Sequence, residues 1–168
     1  MKTSTAAAGS SVFFALAPGV VAGVVPWWLT GWEVSPAPLV VRALGAVVVA
    51  ACAAVLVHAF ARFVREGVGT PAPVAPTSHL VVGGLYRYVR NPMYVAVVGA
   101  VVGQALLLGQ FGLLAYAAVL QVTFIAFVQG YEEPTLRQQF GPEYDAYRAA
   151  VPGWWPRARP ARLPRETS

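Results

Sequence analysis

Residues 92–133 read PMYVAVVGAVVGQALLL, then GQFG, then LLAYAAVLQVTFIAFVQG, then YEE. Two apolar runs of a length suited to helices in ~30 Å of hydrocarbon are joined by a short turn. So brief a connection forces the two helices into an antiparallel hairpin. Pro92 suits the first turn of the first helix, where its missing donor would be orphaned anyway. The acidic pair Glu132-Glu133 is therefore expected at the same membrane level as Arg90, Asn91 and Tyr94, on a neighbouring helix.

Working outward, the composition agrees with a bilayer. The chain has 168 residues, 57% hydrophobic and only 11% charged, where a soluble domain carries roughly a quarter charged residues. The expected fold is all-α: a polytopic membrane protein of about four transmembrane helices, with a C-terminal amphipathic interfacial helix. One domain covers residues 1–168, because no soluble stretch is large enough to bury its own core. The net charge of +5 would suggest nucleic acid in a soluble protein, but its distribution points elsewhere. With four spans, Lys2, Arg62, Arg65, Arg87, Arg90, Arg137 and the arginines that follow fall on one side, which marks a cytoplasmic face. Only Arg42 is left near the far side, where it can snorkel. Contact with anionic membrane lipids is expected, and no nucleic-acid partner. Both termini then lie in the cytoplasm, as for a protein of a bacterial-type inner membrane.

The first span is expected over about Val12 to Trp32, kinked by Pro18 and Pro26, with Trp27, Trp28 and Trp32 at the outer interface. The second runs from about Leu39 to Val64, rich in the small residues that let helices approach in lipid. Glu66 to Val82 is rich in proline and glycine and reads as an extended loop. Its apolar end, Leu80-Val81-Val82, is expected to be buried. Beyond Glu133 the chain is amphipathic: Pro142 starts a new helix on which Tyr144, Tyr147 and Val151 share one face, and that face is expected to lie along the inner interface. Pro152 to Ser168, with four prolines and four arginines, reads as a lipid-hugging or disordered tail. Cys52 stands alone and His58 and His79 are far apart, so neither a disulfide framework nor a metal site is indicated. Nothing in the residues sets an oligomeric state.

Taken singly, the residues of the hairpin's open end have plain readings. Arg87 and Arg90 could anchor a span, Tyr86, Tyr88 and Tyr94 could be interfacial aromatics, and Glu132-Glu133 could be a solvated helix end. Jointly they read as a site. Two adjacent carboxylates repel each other and call for a cation, either Arg90 or a cationic ligand. Arg90-Asn91-Pro92-Met93-Tyr94 directs an amide and a phenol towards the same space. An amphipathic small molecule with a positive centre fits that description.

Gly84-Leu85-Tyr86, Arg90-Asn91-Pro92-Met93-Tyr94, Glu132-Glu133, Phe140-Gly141-Pro142-Glu143-Tyr144 with Tyr147, and Val151-Pro152 together resemble the isoprenylcysteine carboxyl methyltransferases and the related membrane phospholipid methyltransferases. The resemblance covers about residues 65–156, with 157–168 as a tail, and the first two spans carry little of it. It implies an S-adenosyl-L-methionine-dependent transferase with a cytoplasmic cofactor site and a lipophilic or lipid acceptor. By motif position, Ser78, His79, Leu80 and Val81 would line the adenosine; Tyr86, Asn91, Pro92, Met93 and Tyr94 would close around the cofactor; Glu132 would hold its polar end. Arg90 and Glu133 are the candidate catalytic pair, with Glu133 the nearest base for an amine acceptor. Two positions depart from the pattern. Asn91 stands where the family usually has histidine, keeping hydrogen bonding without titration. Val128 stands where eukaryotic members place a substrate-contacting arginine. The leading expectation is methyl transfer to a lipophilic acceptor, an isoprenylcysteine-like carboxylate or another lipid carboxyl or hydroxyl group, with phospholipid-type N-methylation as the runner-up. A non-enzymatic four-span protein with a vestigial pocket would share the same motifs. A glutathione-type membrane transferase would share the span count and the cytoplasmic arginines, but the acidic pair and the Pro-rich loop disfavour it.

Overall fold

The computed structural model describes residues 16–66 and 80–161. Ser78 and His79, the Pro-rich stretch 67–79, the start of the first span and residues 162–168 lie outside the described residues. Among the described residues every regular element is helical. They are α1 (Leu16–Thr30), α2 (Leu39–Glu66), α3 (Pro92–Leu108), α4 (Gly112–Phe140) and α5 (Pro142–Ala150), with a single 3₁₀ turn at Gly84–Arg87 before α3.

Two of these helices, α2 and α4, are long and apolar enough to cross a membrane, while α1 and α3 are shorter apolar helices. The surface of α2 decides how to read that. Leu39, Val40, Val47 and Val57 are each at least 66% exposed. An apolar helix uncovered to this extent suits hydrocarbon and would be an aggregation hazard in water.

The helices pack through small residues, as membrane helices do when no water drives them together. Gly45 of α2 lies against α3 so closely that a Cβ there would overlap the Leu107 nitrogen and sit 2.7 Å from the Gly103 oxygen. A Cβ at Gly103 would come within 2.8 Å of Val49 Cγ2, and one at Gly99 within 2.6 Å of Cys52 Sγ. Gly99 and Gly103 are four residues apart and so share one face of α3. On its other side α3 packs with α4 around Val101, Ala105, Leu113, Ala117 and Leu120.

Between Pro18 and Pro26, where a kink is expected, α1 carries a π-turn over Val20–Val24. Val25 donates its amide to the Val20 carbonyl, one residue further back than in an α-helix. Pro26 has no N–H to offer, so the carbonyls of Val21 and Ala22 lose their helical donors. Two polar side chains from the hairpin replace them. Tyr116 Oη donates to Val21 O at 2.9 Å, and Gln104 Nε2 donates to Ala22 O at 2.6 Å. In an apolar environment an unpaired carbonyl is costly, which accounts for Gln104 and Tyr116 within these apolar helices.

At one end of the bundle the α1–α2 loop docks on the α3–α4 turn. Ser35 N donates to Leu108 O at 2.8 Å, and Gln110 Nε2 donates to Glu33 O at 3.0 Å. Gly109 has φ +69°, and a Cβ there would also meet the Ser35 oxygen at 2.8 Å. This fixes the hairpin, and its open end is the one that carries Arg90–Tyr94 and Glu132-Glu133.

Two expectations are corrected in the C-terminal part. α5 forms where the Gly141-Pro142 break places it, but Tyr144, Tyr147 and Val151 are buried against Leu80, Val82 and Tyr86 of the same chain, not against the bilayer. The pattern of one apolar face is the same for either partner, and here the chain's own loop supplies it. Residues 152–161 are not a loose tail; they run back over the loop before α3.

The glycine contacts yield a test of the packing. Gly45→Ala should lower stability in detergent by about 1–3 kcal/mol through overpacking against backbone. Gly23→Ala, with nothing within 4 Å of the added carbon, should leave the thermal midpoint unchanged or slightly raised. Equal midpoints for both variants would mean that α2 and α3 are not in close contact.

Candidate active site

Three pieces of chain meet at the open end of the hairpin: the loop 80–91, the end of α4, and the segment after α5. The loop turns through the 3₁₀ element at Gly84–Arg87 and enters α3 at Asn91, with Pro92 buried in the first turn. α4 carries a second π-turn at Val128–Glu132. The wider turn changes the phase of the helix before the two carboxylates.

Glu132 and Glu133 diverge to different partners. Tyr94 Oη donates to Glu132 Oε2 at 3.1 Å. Arg90 Nη1 donates to Glu133 Oε1 at 2.8 Å, with both side chains 13% exposed. Arg148 Nε of α5 reaches the other oxygen of Glu133 at 3.2 Å. The cation expected between the carboxylates is thus Arg90, assisted by Arg148, and both serve Glu133. Glu132 has the Tyr94 phenol instead.

Tyr144 accepts from Arg90 Nη1 at 3.2 Å. Burial, and then the Glu133 carboxylate, push the Tyr144 hydroxyl above the ordinary phenol range against the pull of Arg90. Burial does the same for Tyr147, followed by the neighbouring Tyr86. Both phenols therefore stay protonated, and Tyr147 Oη donates to the Tyr86 carbonyl at 2.8 Å.

The segment 152–161 forms a strap across this corner. Arg90 N donates to Pro152 O at 2.9 Å and Asn91 N to Gly153 O at 3.3 Å. Arg157 N donates to Tyr88 O at 3.0 Å and Ala161 N to Arg87 O at 2.9 Å. Arg87 Nε adds a bond to Ala161 O at 3.0 Å. A Cβ at Gly153 would lie 3.1 Å from Arg90 Nη2, so any larger residue there would crowd the guanidinium. Trp154 then lies 6.4 Å from the Tyr94 ring, which also lies 4.8 Å from Phe124. Under the strap, Arg90 Nε and Asn91 Nδ2 are buried donors without a protein partner. Each such group costs roughly 1–3 kcal/mol.

Of the residues singled out from sequence, the structure brings together Arg90, Asn91, Pro92, Tyr94, Glu132 and Glu133. Met93 is half-buried in the first turn of α3. Leu80 and Tyr86 pack on the Tyr144–Tyr147 cluster, and Val81 is half-buried beside them. Sequence reasoning missed Trp154, Gly153 and Arg148. Val128 is 2% exposed and packed inside, so it presents nothing to a substrate. An open groove of about 630 Å³ lies on the far side of Glu133, lined by Gln129, Pro134, Arg137, Gln138 and Arg148 as well. Tyr94 and Glu132 do not line it.

The sequence profile of the phospholipid methyltransferase family matches residues 40–143. The chain belongs to that family. The match takes in α2 and ends at the start of α5, so it begins earlier than the motifs around Arg90 alone suggest and stops before the strap. No curated protein and no solved structure matches the chain. As a phospholipid methyltransferase family member with exposed apolar helices, the chain is placed among integral membrane proteins that transfer methyl groups to lipid-type substrates.

The ion pairs at Glu133 differ in burial, and that difference is measurable. Arg90→Met should destabilise the protein by up to about 3–5 kcal/mol, because it removes the buried partner of Glu133 and leaves that carboxylate only the more exposed Arg148. Arg148→Met, at a side chain 44% exposed, should cost below about 1 kcal/mol. Thermal unfolding in detergent checks both, and Arg90→Met combined with Glu133→Leu should recover most of the loss.

Proposed function

We propose that the chain is an S-adenosyl-L-methionine-dependent methyltransferase acting in the membrane on a lipophilic acceptor. The observation that carries this reading is the pair of contacts Tyr94–Glu132 and Arg90–Glu133, spanning two helices at one end of a family-matched hairpin. The side chains suit that cofactor. Glu132 offers a carboxylate with a phenol as its donor, apt for a cationic group. Arg90 Nε and Asn91 Nδ2 are donors still lacking an acceptor, apt for a carboxylate. Tyr94, Phe124 and Trp154 provide aromatic surface, which attracts a sulfonium as it does other cations.

In this reading Ser78, His79, Leu80 and Val81 line the adenosine, and Tyr86, Asn91, Pro92, Met93 and Tyr94 close around the cofactor. Glu132 holds its polar end, and Arg90 with Glu133 forms the catalytic pair. When bound, the cofactor supplies an electrophilic methyl group on a positively charged sulfur. The chain contributes alignment for an in-line displacement and shields the reacting groups from water with Trp154 and Phe124. The acceptor is a lipid carboxyl or hydroxyl group entering sideways between helices, with its polar head in the groove beside Arg137 and Arg148. α1 and α3 complete a four-span bundle whose site and termini face the cytoplasm, as in a bacterial-type inner membrane.

The family match favours a second reading, N-methylation of a phospholipid headgroup amine. Glu133 would take the amine's proton, which requires one of its two arginine contacts to give way.

Binding of S-adenosylhomocysteine to the purified protein, followed by calorimetry, tests the site. Glu132→Gln and Tyr94→Phe should each weaken it by about tenfold, the loss of roughly one charge-assisted hydrogen bond. Unchanged affinity in both variants would remove Tyr94 and Glu132 from the site. Lipid extracts incubated with methyl-labelled cofactor then separate the acceptors: label as a base-labile methyl ester (carboxyl) or a base-stable methyl ether (hydroxyl) supports the first, and label on a headgroup amine supports the second.

A further inference from the structure

The strap has an inner and an outer side with opposite characters. Its inner side is bound to the site: Pro152 and Gly153 accept from the Arg90 and Asn91 amides, and Trp154 lies against Tyr94. Its outer side is open. Trp155 is 83% exposed, and residues 155–160 are all exposed. That outer run is Trp155-Pro156-Arg157-Ala158-Arg159-Pro160, which contains two cations and no acid. Tryptophan next to arginines is the composition that settles at the headgroup level of a bilayer. The run also lies at the hairpin's open end, where the apolar parts of α3 and α4 give way to charged side chains.

The strap's docking is a balance of opposing terms. Several backbone hydrogen bonds hold it down, while two donors beneath it, Arg90 Nε and Asn91 Nδ2, are left without protein partners. Two donors that docking leaves unsatisfied weaken the closed arrangement, so an added external contact can shift how completely the strap is docked.

We propose that residues 152–161 act as an interfacial anchor: Trp155, Arg157 and Arg159 seat on anionic lipid headgroups, and that contact holds the strap closed over Arg90 and Asn91. The charge of the surrounding membrane thereby sets how completely the site is formed. Trp154 and Trp155 divide the work, one facing the Tyr94 ring and the next facing the lipid. Arg157 keeps a second link inward, since its guanidinium donates to the Ala150 carbonyl at the end of α5. Arg159 and Trp155 are the clean outward probes. The regulatory half of the proposal rests on the cofactor site proposed above; the anchoring half does not.

The full-length protein is reconstituted into nanodiscs of phosphatidylcholine alone, or of phosphatidylcholine mixed with phosphatidylglycerol. Two quantities are read: the rate of tryptic cleavage at the Arg157–Ala158 bond, by mass spectrometry, and the affinity for S-adenosylhomocysteine. The anionic discs should slow cleavage and tighten binding, and Arg159→Gln should remove about a fivefold share of each difference. Trp155→Ala with Arg159→Gln should remove most of both differences, leaving only the share of Arg157, while affinity in phosphatidylcholine discs stays at the wild-type value. High salt should erase the lipid effect on the wild type. Equal cleavage rates in the two discs overturn the anchor. So does protection that grows with protein concentration in phosphatidylcholine, which would assign the surface to a second copy of the chain. Cleavage that responds to lipid while affinity does not overturns the coupling to the site. Cofactor binding absent from both discs overturns the proposed cofactor site, and the cleavage rates still decide the anchor.

Discussion

Glu133 holds two guanidinium groups that come from different elements, Arg90 from the loop entering α3 and Arg148 from α5. At a site with both Arg90 and Glu133 largely withdrawn from solvent, neither charge can be left alone without a cost of several kcal/mol. The carboxylate therefore fixes the relative positions of the α3 entry, the end of α4 and α5. The strap depends on that arrangement. Pro152 and Gly153 follow α5 closely, and only with α5 in place can they meet the Arg90 and Asn91 amides. Tyr94 and Glu132 then form their own contact one step deeper, with Trp154 beside them.

The opposite half of the bundle obeys a different constraint with the same logic. There the unpaired groups are backbone carbonyls in α1, freed by Pro26 and the π-turn, and the partners are Gln104 and Tyr116. Hydrocarbon offers no donors of its own, so the polar side chains sit where the backbone needs them. α3 takes part at both ends of the bundle. It presents Gln104 to α1, its glycines to α2, and Tyr94 to α4. This is the geometric reason that a helix of 17 residues orders a site at one end while anchoring three neighbours.

The hairpin was legible because two lengths determine it: the four residues between the runs, and the runs themselves. From those alone Arg90 and Tyr94 had to face Glu132 and Glu133, and the structure places them in hydrogen-bond contact. The start of α5 was legible from Pro142. Its destination was not, because Tyr144, Tyr147 and Val151 make the same stripe whether the covering surface is lipid or Leu80, Val82 and Tyr86. The strap was illegible for another reason. Its contacts to residues 87–91 are chiefly backbone to backbone, so no side-chain pattern announces them, while its prolines and arginines carry the composition of a loose tail. The two π-turns are likewise invisible in periodicity, since each adds one residue within a continuous helix and no residue type marks the place.

The two departures from the wider motif become intelligible in this setting. Val128 is packed inside the bundle, one π-turn before the carboxylates. An arginine there would have to bury its charge or displace that packing. Cationic side chains reach the neighbourhood of Glu133 from the other direction instead, with Arg137 and Arg148 lining the groove. Asn91 is buried at the entry to α3, its amide nitrogen beside Gly153 and Arg90. Arg90 and Arg148 already match Glu132 and Glu133 in formal charge. A titratable ring at position 91 would add a charge that varies with pH under the strap, where desolvation makes it expensive. An asparagine keeps a permanent donor in that place and leaves the balance of the four charged groups untouched.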